Sequence, residues 1–287
     1  MIDLHSHTNE SDGTYTPEEL VSAARQVGLS ALAITDHDTF LGYEKAVPFA
    51  AGTSLDLVRG IELNSRLNWN SRPTRWAHIL AYFPTSEPSA GFLQWLEDQR
   101  SERRDRNKRL AESLRDQGIE ITLEEVEARG RSLAGRPHFA RVLVEKGYAA
   151  DHEDAFRRYI GEDAPAFVER ESPATETVIR LIREGGGLPV VAHPIRLSLG
   201  VDDLRNALRT LKNAGLVGLE IYHSEHNAEL QNAYRELAEQ LDLLPTGGSD
   251  FHGTAKPDTA LGTGRNGNIL VPREFLDRLQ SYQNQAR

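Results

Sequence analysis

The residues best able to do chemistry open the chain. Asp3-Leu4-His5-Ser6-His7-Thr8 is followed closely by Asp12-Gly13. Side chains alternate along a strand, so His5 and His7 point to one side, where they can chelate a single cation, and Asp12 returns from the loop beyond. Taken alone, the pair is equally compatible with a half-buried strand carrying two incidental histidines. The chain has no cysteine, which removes disulfides, thiolate nucleophiles and sulfur-ligated zinc, so any metal must be held by His, Asp and Glu. The ten histidines are therefore the residues to follow.

Most of them fall where strands are expected to end. Residues 2–5 read as a first strand, and Thr16-Pro17-Glu18-Glu19 has the capped, proline-led, acidic first turn of a helix running to Val27, where Gly28 stops it. Ser30–Thr35 is a short apolar run that halts at Asp36-His37-Asp38, before a helical pattern over Leu41–Ala51. The same three polar residues would also suit a turn with Asp38 as helix cap. Leu57–Leu63 predicts a third strand with Glu62 near its end. A buried carboxylate there needs a partner, either a cation or a nearby arginine. Trp76–Phe83 predicts a fourth strand with His78 near its start, and the Asn/Ser/Arg/Pro segment between leaves no room for a packed helix. If strands three and four form a hairpin, Glu62 and His78 lie at the same end of the sheet. A His78 bonded to a backbone carbonyl is the plainer alternative. Leu188–Ala192 leads into His193-Pro194 after a helix at Glu176–Arg183. Val217–Tyr222 carries Glu220 and runs into His223 and His226, and Leu243–Gly247 leads into Ser249-Asp250-Phe251-His252. Seven strands, most alternating with helices, predict a parallel-rich barrel whose C-terminal strand ends build one site.

From Ala90 to Ser172 the strand signal vanishes and helices punctuated by Gly118, Gly130, Gly135, Gly147 and Gly161 take over. The expected organisation is a discontinuous barrel over residues 1–89 and 173–287 with an inserted helical subdomain over 90–172. The arginine-rich first helix of the insertion reads as a solvated, salt-bridged face. Within Ser132–Arg141, Gly135-Arg136-Pro137-His138 places an arginine fork and an imidazole at a helix N-terminus, which suits either a phosphate or ordinary capping.

A chain of 287 residues with 39% hydrophobic residues can bury a sizeable core. Its net charge of −10 argues against a general electrostatic grip on duplex nucleic acid. No apolar run reaches membrane-spanning length and the N-terminus lacks a signal-peptide build, so a cytoplasmic protein is expected.

His5-Ser-His7, Asp12, Thr35-Asp36-His37-Asp38, Gly60-Ile61-Glu62, His78, Ala192-His193-Pro194 and Ser249-Asp250-Phe251-His252 together resemble the PHP (polymerase and histidinol phosphatase) family, in order and along the whole chain. The resemblance implies a distorted (β/α)7 barrel with three divalent metals: one held by His5, His7, Glu62 and Asp250, a second by Glu62, His78 and His193, a third by Asp12, His37 and His252. The insertion and the Gly135–His138 segment are similar to the stand-alone phosphoesterases of the family. Those remove the 3′-phosphate of nucleoside 3′,5′-bisphosphates and trim short 5′-phosphorylated RNA from its 5′ end.

Chemistry agrees with that reaction class. Imidazoles mixed with carboxylates suit Mn²⁺, Zn²⁺ or Fe²⁺ better than Mg²⁺ or Ca²⁺, with manganese the first choice. The expected nucleophile is a hydroxide bridging the metals, not a side chain. Asp36 and Asp38 are expected to orient ligands, and His223 to contact the phosphate or protonate the leaving group. Arg103, Arg106, Asn107, Arg136 and His138 are the expected substrate contacts, the partner being a nucleotide or short single-stranded RNA. The rivals are a histidinol-phosphate phosphatase and a metal-stabilised binding module without turnover.

Overall fold

The computed structural model describes residues 1–69, 75–130, 134–169 and 172–285. These form two compact units, Met1–Leu93 with Ser172–Arg287, and Gln94–Glu171.

The first unit is built on one seven-stranded sheet in sequential order, β1 to β7. The strands are β1 (Ile2–Asp3), β2 (Ala31–Ile34), β3 (Asp56–Leu67), β4 (Arg75–Tyr82), β5 (Leu188–Val191), β6 (Gly218–Tyr222) and β7 (Leu244–Gly247). Neighbours pair in parallel except β3 with β4 and β4 with β5, because β4 runs against the rest. The reversal matters for chemistry. Residues early in β4 lie level with residues late in the parallel strands, so His78 joins the end of the sheet that Glu62 approaches. The sheet closes on itself through backbone bonds from Leu4 N–H to Gly247 O at 3.1 Å, Asp250 N–H to His5 O at 2.9 Å and His7 N–H to Phe251 O at 2.9 Å. This is the distorted seven-stranded barrel expected from the sequence.

Side-chain alternation lets one strand face serve two purposes. The β3 and β4 face that carries Glu62 and His78 also carries Val58, Leu80 and Tyr82, which join Ile2, Leu4, Ala33 and Val190 in one buried apolar cluster. Burying one such side chain stabilises the fold by roughly 1.5–3 kcal/mol. Helix α1 (Pro17–Gln26) starts as its sequence dictates: Thr16 accepts the Glu19 N–H while the Glu19 carboxylate accepts the Thr16 N–H, with Pro17 at the first helical position. With α2 (Leu41–Ala50) it packs Leu20, Ala24 and Ala46 against Leu32 and Ile34 on the outward face of β2.

One detail departs from the sequence reading. Strand β3 continues to Leu67, because the buried alternation of Leu63, Ser65 and Leu67 persists past the expected end. The turn expected between β3 and β4 falls largely on residues 70–74, outside the described residues, as does Ser132.

The described elements of the second unit are all helical. It takes in α3 (Ala90–Asp116, whose first turn belongs to the barrel unit), α4 (Leu123–Gly130), α5 (Arg136–Glu145), α6 (His152–Ala155) and a π-helical turn at Phe156–Ile160. Its own core gathers Leu110, Leu114, Ile121, Val126, Phe139, Leu143 and Ile160. The barrel resumes with α7 (Thr175–Glu184), α8 (Val201–Asn213), α9 (Ala228–Gln240) and α10 (Glu274–Gln285).

Candidate metal centre

All nine expected ligands converge at one end of the barrel, and Glu62 stands at their centre. Its Oε2 lies 3.3 Å from His5 Nε2, 3.2 Å from His7 Nε2 and 3.5 Å from His37 Nε2. Its Oε1 lies 2.7 Å from His78 Nδ1 and 2.9 Å from His193 Nε2. Asp250 Oδ1 stands 3.4 Å from both His5 Nε2 and His7 Nε2. Asp12 faces His252 Nε2 at 3.3 Å through one oxygen and His37 Nε2 at 3.6 Å through the other.

Several of these spacings are long for hydrogen bonds and right for ligands. Donor atoms held about 2.1 Å from one cation in tetrahedral array stand about 3.4 Å apart. His7 Nε2 is fully buried yet has no hydrogen-bond partner. A buried ring nitrogen left without a hydrogen bond among carboxylates is costly unless a cation fills the gap. Three groups of donors come together closely enough to hold an ion: His5, His7, Glu62 and Asp250; His7, Asp12 and His37; His37, Glu62 and His78. The residues therefore fit divalent metals.

The ring nitrogens that face away from the cluster are fixed by acceptors, as metal-binding imidazoles require. His5 Nδ1 pairs with Glu220 Oε1 at 2.9 Å, and His252 Nδ1 with the Asp250 carbonyl at 2.8 Å. His7 Nδ1 lies 3.4 Å from Ser11 Oγ, which donates to Asp36 Oδ1 at 2.6 Å. Asp36 also accepts from the Thr8 N–H and hydroxyl, so it holds the 8–11 loop in place and reaches His7 only through Ser11. Asp38 is buried at the edge of the site, its Oδ2 accepting from Asn64 Nδ2 at 3.4 Å. His223 is fully buried, accepts the Glu225 N–H at Nδ1 and so presents a protonated Nε2 to Asp250 Oδ2 at 3.3 Å.

Charge balance points the same way. Burial alone would push the carboxyls of Asp12, Glu62 and Asp250 up, but the surrounding imidazoles hold all three well below the usual range. Burial keeps His37 at about 3 and His193 at about 4, so both are neutral donors. Burial would likewise depress His5 and His7. Glu220, Glu62 and Asp250 outweigh it at His5, and the Asp250 and Glu62 carboxylates beside its Nε2 lift His7 to about 9. The pocket thus carries more negative charge than its neutral ligands can absorb, and protons occupy the place that cations would take.

Glu220 is the residue that reading the sequence for motifs passed over. Besides His5 it accepts the His193 N–H at 2.6 Å, with burial opposed by His5 leaving its pKa at about 2. That bond clamps a strained turn, since His193 has φ 26°. Asp3 does related work: it accepts from the backbone N–H groups of His5, Ser249 and Gly262 and from Ser249 Oγ, tying β1 to the end of β7. Gly248 makes that approach possible, as a Cβ there would lie 2.3 Å from His5 N. Both acids were detectable in principle as ionisable residues on strands whose other side chains are apolar. Arg196 and Lys256 also went unread; they reach Asp250 Oδ2 at 3.0 Å and 2.7 Å.

Apart from His223, the expected substrate contacts belong to the helical unit. Arg106 and Asn107 are buried, and Asn107 Nδ2 donates to the Ala134 carbonyl at 2.7 Å. His138 Nδ1 accepts the Gly135 N–H at 3.1 Å, the capping role. The Arg136 guanidinium lies 5.9 Å and 5.6 Å from the ring centres of Phe156 and Phe167. Arg103 lines a cavity of about 200 Å³ with Glu97, Arg100, Arg104, Asn107 and Glu127. No helix among the described residues is long and apolar enough to cross a membrane.

Comparison with known proteins places this geometry. The chain is 32% identical over 251 residues to a 5′-3′ exoribonuclease of Haemophilus influenzae, covering 87% of this chain and 89% of that one. It is 29% identical over 254 residues to a 3′,5′-nucleoside bisphosphate phosphatase of Chromobacterium violaceum, covering 88% and 87%. The crystal structure of a putative metal-dependent phosphoesterase from Bifidobacterium adolescentis superposes with a TM-score of 0.80 at 32% identity, covering 98% of this chain and 95% of that one. The model of the PHP domain matches residues 3–241, and the chain belongs to the PHP domain family.

Proposed function

We propose that this protein hydrolyses the 3′-phosphate of nucleoside 3′,5′-bisphosphates and shortens 5′-phosphorylated RNA from its 5′ end. It is a metal-dependent phosphoesterase of the PHP family, and its relatives named above are a 5′-3′ exoribonuclease and a 3′,5′-nucleoside bisphosphate phosphatase. The observation that carries the reading is the division of Glu62, with His5, His7 and His37 at one oxygen and His78 and His193 at the other. Three divalent cations, manganese first with zinc or iron as alternatives, are proposed at His5/His7/Glu62/Asp250, at Glu62/His78/His193 and at Asp12/His37/His252. Bound there, such ions acidify water toward neutrality and neutralise phosphoryl oxygens.

The chain's own residues do the rest. Asp12, His37 and His78 are the partly exposed members, at 29%, 19% and 22%, so substrate enters on their side. Arg196 and Lys256 bring positive charge to the rim of the cluster, where a phosphate dianion needs it. His223 holds its proton at Nε2, ready for the leaving oxygen. Arg103, Arg106, Asn107, Arg136 and His138 are proposed to read the substrate's second phosphate.

The test is phosphate release from adenosine 3′,5′-bisphosphate, a 5′-phosphorylated oligoribonucleotide and histidinol phosphate, with a metal count on the same preparation. Preference for the first two supports the proposal. Preference for histidinol phosphate makes the protein a histidinol-phosphate phosphatase, and metal-loaded protein inert on every ester makes it a binding module.

A further inference from the structure

The β3–β4 hairpin does more than deliver Glu62 and His78. In its register Asn64 lies opposite His78 and Arg66 opposite Trp76, so Glu62, Asn64, Arg66, His78 and Trp76 share one face and form a strip leading away from the metal centre. The other face is committed to packing. Leu63, Ser65, Leu67, Ala77 and Ile79 are buried there, and Ser65 Oγ, which donates to the Ala77 carbonyl at 2.8 Å, pairs with Thr175 at the start of α7 at 2.9 Å. On the strip, Asn64, Arg66, Trp76 and His78 are all only half-buried. At its outer end the Arg66 guanidinium stands 4.9 Å from the centre of the Trp76 ring.

We propose that Trp76 and Arg66 form a stacking platform for the base of the nucleotide whose phosphate is cleaved. This rests on the phosphatase reading and adds what selects the leaving group. Two residues along a strand cover about 6.7 Å, so Trp76 lies roughly one sugar ring beyond His78, where the base of a 3′-phosphorylated nucleoside falls. An indole and a guanidinium plane are the surfaces on which bases stack, and they do so with little sequence preference. Arg66 holds the indole from one side, which lowers the cost of ordering it when a base arrives. A platform of this kind accepts any nucleobase and gives no advantage to an ester that lacks one.

The experiment compares Trp76→Ala and Trp76→Phe with the wild type on adenosine 3′,5′-bisphosphate and on ribose 3,5-bisphosphate, which keeps both phosphates and lacks the base. Trp76→Ala should raise KM for the nucleotide about ten- to a hundredfold, the typical worth of one stacked base, with kcat nearly unchanged. On the baseless ester its loss should be less than threefold, and Trp76→Phe should restore most of the nucleotide KM. Quenching of tryptophan fluorescence by adenosine 3′-phosphate should fall in Trp76→Phe, although Trp69 and Trp95 remain. Equal losses on both esters, or none on either, would overturn the platform. So would a wild type that turns over both esters equally well, although the phosphatase reading would stand. A wild type that hydrolyses neither ester overturns that reading and the platform with it.

Discussion

The barrel unit and the helical unit treat their charged residues in opposite ways. In the barrel, acids and histidines drawn from positions 5 to 252 converge on Glu62, although no two motifs are adjacent in the chain. In the helical unit, arginines crowded into one helix disperse. Arg100 pairs with Glu97 and Arg104 with Glu127, while Asn107 is spent on a backbone carbonyl. Adjacency in sequence is thus a poor guide to a shared site, and a common strand end is a good one. A closed sheet aims every strand terminus at one place, whereas a helix turns its residues through the full circle.

The sharpest way to break the comparison is to remove the residue on which the barrel converges. Glu62→Gln should cost a thousandfold or more in kcat/KM, about 4 kcal/mol, because a neutral amide would not offset the repulsion of the two cations that Glu62 is proposed to bridge. A metal count should find two ions lost; full occupancy in the variant would rule out bridging. Next come His37→Ala and His252→Ala. Each should lose one of the three proposed cations and on the order of a hundredfold in turnover with its circular dichroism unchanged, since both residues lie on loops beyond the strands. Wild-type activity in either would remove that residue from the site.

The contrast also explains what could be read in advance. The seven strands were legible because each is a short apolar run with a polar break, and seven of the nine candidate ligands because they sit at or past such a break; Glu62 and His78 lie inside β3 and β4. Glu220, inside β6, reads from the sequence as part of its strand and not as a partner of the ligands; only the closed barrel shows that it reaches His5 and the His193 backbone from there. Asp36 illustrates the reverse. It stands beside a ligand in sequence, but its oxygens are taken by Thr8 and Ser11, so any orienting effect on His7 passes through Ser11. In the helical unit the run of arginines reads as a solvated, salt-bridged face, and Arg100 and Arg104 do pair with acids, but Arg106 is buried, and the sequence says nothing about which guanidinium meets substrate.

Two substitutions probe these cases at smaller cost. Glu220→Gln should weaken metal binding about ten- to a hundredfold, the usual effect of losing the acceptor that orients a ligating imidazole, and calorimetric titration with manganese would read it. Unaltered affinity would mean that backbone packing alone orients His5. Arg136→Ala should raise KM for a 3′,5′-bisphosphate by about 1.5–3 kcal/mol, ten- to a hundredfold, and affect a simple aryl phosphate far less, because that ester has no second anion. Equal effects on both would return Arg136 to its place over Phe156 and Phe167 as a residue of the fold.

The smallest effect separates a histidine of the site from one that merely lies near it. His226 follows β6, is fully buried, donates from Nδ1 to the Ile221 carbonyl at 2.8 Å, and packs edge-on against Tyr234. Its Nε2 has no partner and it touches no carboxylate of the metal cluster, so burial, reinforced by His223, holds its pKa down to about 4. Unfolding frees it to titrate near 6.5. Between those values the unfolded chain binds the proton and the folded chain does not, so stability falls as pH drops through that window. From pH 7.5 to 5.5 the loss should be about 1 kcal/mol, rising toward the full difference near pH 4. Denaturant titrations of His226→Gln against the wild type should show this part of the slope removed in the variant. Identical slopes would mean that His226 already carries its proton in the folded protein, and its burial would need an acid to match it.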